Sequence, residues 1–130
     1  VMTSGLNNFK ESIDAVEGDY QKFNNYHHLI SYKLGFHAEY TTSKELIKGI
    51  ADLAEKYKAP VFVHASETKA EVEDCIGRNG MTPTQFLDSL GVFNYGGGAY
   101  HSVWLLSLIR DRIQSLHQVL LLFQGLLMRA

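Results

Sequence analysis

Three histidines and one glutamate carry the chemistry this sequence can offer. His37 closes a run ending Gly35-Phe36, His64 closes Pro60-Val61-Phe62-Val63, and His101 closes Gly97-Gly98-Ala99-Tyr100. An imidazole can ligate a metal or exchange a proton near neutral pH. Taken singly, each is also readable as a hydrogen-bonded packing residue at a strand end. If the three runs are neighbouring parallel strands, the rings converge on one mouth, as a His-rich metal site requires. Glu67 follows His64 by three positions and precedes Thr68. Its structural reading is a carboxylate favoured by the positive end of the next helix. Its chemical reading is a general base and acid beside a metal-bound water, taking a proton from the water and delivering it to a leaving amine.

These residues need strands and helices to position them. Thr42-Ser43-Lys44-Glu45 reads as a Thr N-cap with Glu three residues on, and Leu46, Ile47, Ile50, Leu53, Ala54 and Tyr57 then line one helical face up to Pro60. Residues 60–65 are short, β-branched and apolar on both faces, the pattern of a strand inside a parallel sheet. Thr68-Lys69-Ala70-Glu71 is a second capping box, followed by Val72, Cys75 and Ile76, with Gly77 and Gly80 ending the helix. Thr82-Pro83-Thr84-Gln85 is a third, with Pro at the first helical position and Gly91 as the stop. Upstream, residues 9–26 read as a helix and 29–36 as a strand, with a further strand over about 1–6; downstream, 97–102 reads as a strand. Strands alternating with helices predict a parallel sheet with helical cover.

The chain has 12 Lys+Arg against 14 Asp+Glu and a formal net charge of −2, which gives no basic field for nucleic acid or anionic lipid. A small neutral substrate or a protein partner fits better. The single cysteine, Cys75, excludes an intramolecular disulfide and a CxxC metal knuckle, and suits a reducing cytoplasm. The sequence opens at Val1 without a basic region followed by an apolar run, which reads as an excised segment rather than a signal peptide. The apolar stretch 103–128 is interrupted by Arg110, Asp111 and Arg112 and by Gln114, Gln118 and Gln124. That pattern predicts an amphipathic helix, not a membrane span. Its stripe runs through Ile109, Ile113, Leu116, Leu120, Phe123 and Leu127, and suits a helix that associates with a second copy or folds back over an open sheet.

Three segments together carry a family resemblance. Gly35-Phe36-His37-Ala38-Glu39-Tyr40-Thr41 resembles the GPHAPYT-like segment of the cytosine deaminase/chlorohydrolase branch of the amidohydrolase superfamily. Val63-His64-Ala65-Ser66-Glu67-Thr68, with Glu71-Val72 after it, is similar to that branch's HLAET…EV segment, and Ala99-Tyr100-His101-Ser102-Val103 to its AAHCV segment. Thr82 to Gly91 resembles the helix that precedes the last motif, and the resemblance spans about residues 1–105. It implies that His64 is a metal ligand, Glu67 the proton shuttle, His101 the group that polarises substrate or orients the attacking hydroxide, and His37 a substrate contact. The cofactor it implies is a divalent metal, zinc or iron. Phe36 and Glu39 stand where the family commonly has prolines, and Phe62 where many relatives carry another His. The family's first-strand HxH pair and last-strand Asp have no counterpart here.

The expectation is therefore an α/β chain in two parts: a partial TIM (β/α) barrel with parallel strands over 1–105, and a Leu-rich amphipathic helical tail over 106–130. Its expected function is that of a fragment of a metal-dependent aminohydrolase, acting on a C–N bond of a purine, pyrimidine or triazine-like ring and inactive by itself for want of a complete metal shell. The expected partners are a small heterocyclic substrate and a second copy of the chain, with no nucleic acid and no membrane. The rival is a non-catalytic α/β interaction module that oligomerises through its C-terminal helix.

Overall fold

The computed structural model describes residues 9–104 of the 130. The expected strand over about 1–6 and the tail from 106 lie outside those residues. In chain order the elements are α1 (Phe9–Phe23), β1 (Leu34–Gly35), a 3-10 turn (Glu39–Thr41), α2 (Lys44–Tyr57), β2 (Val61–Ala65), α3 (Lys69–Asn79), α4 (Pro83–Ser89) and β3 (Gly97–His101). The strands form one parallel sheet in the order β1-β2-β3. Parallel neighbours need a crossover, which α2 provides between β1 and β2, and α3 with α4 between β2 and β3.

Strand periodicity sorts β2 into two faces. Val61, Val63 and Ala65 are fully buried and share a core with Leu34, Ile47, Ile50, Ala54, Cys75 and Leu87. Phe62 and His64 alternate with them and are only half-buried, so the second face of the strand is not fully covered among the described residues. That differs from the apolar-on-both-faces expectation. It also leaves His64 on the open side of the sheet.

Two boundaries move for identifiable reasons. The strand expected over 29–36 contracts to Leu34–Gly35, because its partner begins at Val61, opposite Leu34, and the preceding Pro60 has no N–H to extend the ladder. Residues 27–30 instead close a tight turn, with the Ile30 amide donating to the His27 carbonyl at 2.8 Å. The cap of α2 is Ser43 rather than Thr42: the Ser43 hydroxyl accepts from the Leu46 amide at 3.2 Å. This shift puts Glu45 one place too early to close a capping box. The boxes Thr68/Glu71 and Thr82/Gln85 both form as expected.

Packing across the sheet is tightest at Gly97. A Cβ there would lie 1.9 Å from the Val61 carbonyl oxygen, and its φ of +131° is open to glycine alone. On the other flank, Glu17 accepts from Lys56 Nζ and Tyr57 Oη, each at 2.6 Å, which clips α1 onto α2.

Candidate active site at the strand ends

The carboxyl ends of β1, β2 and β3 lie along one edge of the sheet, and the three expected histidines are there together. The His64 amide donates to the His37 carbonyl at 2.8 Å, extending the ladder past β1. The His37 and His64 ring centroids are 5.3 Å apart, and those of His64 and His101 are 5.0 Å apart with 25° between planes. Glu67 closes the group, with its Oε1 at 3.6 Å from His101 Nε2.

His101 and Glu67 have side chains 42% and 46% exposed, so an ion pair between them adds little to stability. Chemistry accounts for the cluster better than stability does. One ligand atom each from His64, Glu67 and His101 falls within 4.8 Å of the others. Two imidazole nitrogens and a carboxylate oxygen are a zinc-type donor set, and donors on a tetrahedral zinc sit roughly 3.4 Å apart. The donor chemistry thus suits a divalent transition metal at this edge, with all three groups within reach of it.

The backbone is held in uncommon conformations at this edge. Ser66, His101 and Ser102 have φ of +56°, +70° and +50°, and the other left-handed non-glycine among the described residues is Lys58, at the C-cap of α2. Each such residue costs on the order of 1 kcal/mol and persists only where its surroundings fix it. Glu71 does much of the fixing. Its buried carboxylate accepts from the amides of Ser66 and Glu67 at 2.8 Å each and of Thr68 at 3.4 Å. The Ser66 and Thr84 hydroxyls meet at 3.3 Å. On the β3 side, the Ser102 amide donates to the Ala65 carbonyl at 3.1 Å and the Trp104 amide to the Ser66 carbonyl at 2.9 Å.

Sequence reasoning placed Glu71 in a capping box but did not see it reach back to Ser66. It also passed over Tyr100, which pairs in register with His64 and brings its ring to 5.2 Å from the imidazole. The signal was available: a residue opposite His64 in a parallel ladder shares its face. The His37 side chain is anchored separately. Its Nδ1 lies 3.0 Å from the Thr41 hydroxyl, which also accepts from the Ala38 amide and donates to the Ala38 carbonyl.

A sheet edge that gathers a His/Glu donor cluster at the ends of parallel strands is a hydrolase-type arrangement, and comparison with known proteins assigns the family. Residues 4–120 match the amidohydrolase family model, and the chain belongs to that family. It is 46% identical over 77 residues to the 5-methylthioadenosine/S-adenosylhomocysteine deaminase of Pyrococcus furiosus, covering 59% of this chain and 18% of that protein. It is 36% identical over 96 residues to the 5'-deoxyadenosine deaminase of Methanopyrus kandleri, covering 74% and 22%. The chain thus spans about a fifth of the length of these relatives.

Among solved structures, an adenosine deaminase from Xanthomonas campestris with bound zinc superposes with a TM-score of 0.63 at 30% identity, over 70% of this chain and 20% of that one. Guanine deaminase from C. acetobutylicum, with guanine in its active site, superposes at 0.77 and 20% identity, over 84% and 27%. The latter likeness concerns the fold alone. The parallel sheet with its helices is part of a TIM (β/α) barrel of the amidohydrolase kind.

Proposed function

We propose that this chain supplies the proton-transfer edge of a metal-dependent aminohydrolase that hydrolyses a C–N bond of a purine, pyrimidine or triazine-like ring. The deaminases among its relatives favour an adenine nucleoside. The observation that carries the reading is the convergence of His64, Glu67 and His101 within 4.8 Å, at the strand ends of an amidohydrolase sheet. In this reading His64 is a metal ligand. The metal, zinc or iron, supplies Lewis-acid activation of water when bound.

The remaining steps belong to this chain's own side chains. Glu67 Oε1 takes a proton from the attacking water and later gives it to the departing amine, which leaves as ammonia. His101, beside Glu67, orients the water and polarises the ring atom under attack. His37 contacts the substrate from the β1 side. With Glu67 and His101 engaged in proton transfer and polarisation, and with no HxH pair in the sequence, the metal's donors beyond His64 come from outside this set and the 130-residue chain by itself is inactive. Among the described residues no helix is long and apolar enough to cross a membrane. The single cysteine, Cys75, is what supports placing the protein's work in a reducing cytoplasm.

The test is ammonia release by the intact polypeptide, loaded with Zn²⁺ or Fe²⁺, from 5'-deoxyadenosine, guanine and cytosine. Release from at least one, lost in Glu67→Gln, supports the reading. Stoichiometric metal without release from any of them overturns it.

A further inference from the structure

We propose that the ion pair between Glu39 and Arg78 is a positioning device for His37, setting substrate affinity without touching substrate. The inference rests on the reading of His37 as a substrate contact. The Glu39 side chain is 3% exposed and its partner Arg78 is 47% exposed, with Arg78 Nη2 donating to Glu39 Oε1. A carboxylate withdrawn from water this far is costly, and an apolar pair of similar volume often stabilises a fold as well or better. Stability alone is a weak reason to keep a buried charge at this place. Geometry supplies a stronger one.

Glu39 opens the 3-10 turn that follows His37 directly after Ala38. In that turn the Thr41 hydroxyl lies 3.0 Å from His37 Nδ1 and 3.2 Å from the Ala38 carbonyl, and it accepts from the Ala38 amide. The turn thus sets the place of the His37 ring through its Thr41 contact. The ladder bond from the His64 amide holds the His37 backbone, and the ion pair acts on the turn beyond it. Arg78 lies in the last turn of α3, the helix that starts just after Glu67. The pair therefore ties the turn carrying His37 to the helix that begins beside Glu67, and fixes the separation between substrate contact and proton shuttle.

The experiment compares Glu39→Gln, Arg78→Gln and Arg78→Lys in the intact polypeptide, with two readouts. Kinetics with 5'-deoxyadenosine should show KM raised roughly tenfold in both Gln variants with kcat within about twofold, the signature of lost uniform binding, and raised to an intermediate value in Arg78→Lys. NMR of chains labelled at histidine Cε1 should show the His37 resonance broadened and shifted in both Gln variants, with the His101 resonance unmoved. A His37 resonance that stays in place while the melting temperature falls overturns the proposal and leaves the pair merely structural. A displaced His37 resonance with unchanged KM supports positioning and overturns the role of His37 as a substrate contact. Should Arg78→Gln fail to fold, Arg78→Lys decides: a point charge in place of the guanidinium fork should give an intermediate KM, and a wild-type KM with a wild-type His37 resonance in both Arg78→Lys and Glu39→Gln overturns the proposal.

Discussion

The imidazoles of His64 and His101 stack at 5.0 Å, although one lies next to the end of β2 and the other ends β3. In the ladder His64 pairs with Tyr100, and His101 pairs with Ala65. By strand parity alone His101 belongs to the other face of the sheet, and its left-handed φ of +70° is where it departs from that parity. The strain at that residue is thus spent on assembling the cluster with Glu67.

Removing the proton shuttle should separate chemistry from metal binding. Glu67→Gln in the intact, metal-loaded polypeptide is expected to lower kcat by about 10²- to 10⁴-fold, with the metal content unchanged. His64→Ala should lose metal as well. Steady-state ammonia release and metal analysis of the same preparations check both, and a Glu67→Gln enzyme with wild-type kcat would remove Glu67 from the mechanism.

Glu71 should matter through backbone geometry. Glu71→Gln replaces one accepting oxygen by a donor facing the amides of Ser66, Glu67 and Thr68. A cost of about 1–3 kcal/mol in unfolding free energy is expected, as for a buried donor left unsatisfied. Urea unfolding gives the energy, and amide exchange at Ser66 and Glu67 shows whether the loosening is local. Unchanged exchange at both would remove Glu71 from the positioning of Glu67.

Two glycines should respond oppositely to alanine. Gly97→Ala meets the Val61 carbonyl oxygen at 1.9 Å from the new Cβ with φ at +131°, so β2–β3 pairing should be lost at about 3 kcal/mol or more. Gly77 lies inside α3, and an added Cβ there has nothing within 4 Å. Gly77→Ala should stabilise by roughly 0.8–1 kcal/mol through helix propensity. Denaturant midpoints of the two variants against wild type decide the matter.

Burial pushes the Cys75 thiol up from its ordinary 9.0 to about 11, Glu39 nearby adding to the rise and an Asn79 hydrogen bond opposing it. The native state therefore holds its proton more tightly than the unfolded chain does. The resulting stability is fully present below pH 9 and is lost as pH rises toward 11. Relative to Cys75→Ala, the wild type should lose on the order of 2 kcal/mol across that window. At pH 8 the native thiol should react with an aromatic disulfide only as fast as the chain opens, and fast labelling under native conditions would contradict its burial.

By itself, the 130-residue chain should bind Zn²⁺ weakly and without fixed stoichiometry, and should associate through its tail. Leu116→Gln, Leu120→Gln and Phe123→Gln together should shift sedimentation toward monomer, each buried Leu contributing roughly 1.5–3 kcal/mol to association. One tightly held equivalent of zinc, or a wild-type chain that stays monomeric at high concentration, would refute the corresponding half of this expectation.

The sequence by itself determined the order of elements, because capping boxes and apolar periodicity act over a few residues: Thr68 with Glu71, Thr82 with Gln85, and the α2 stripe all form where they read. It also determined that His101 ends β3 and that His37 and His64 lie within two residues of the ends of β1 and β2, and three matched segments implied the family. What it did not determine depends on the path the backbone takes in three dimensions. The length of β1 follows from where β2 begins, the cap at Ser43 from how the turn before α2 packs, and the reach of Glu71 to Ser66 from a left-handed residue no local pattern announces. Glu39 shows the difference most clearly. In sequence it is an exception to a motif; in the fold, the last turn of α3 carries Arg78 to its carboxylate. Only tertiary structure brings those two together, since a buried charge selects its partner by proximity in space and not by spacing along the chain.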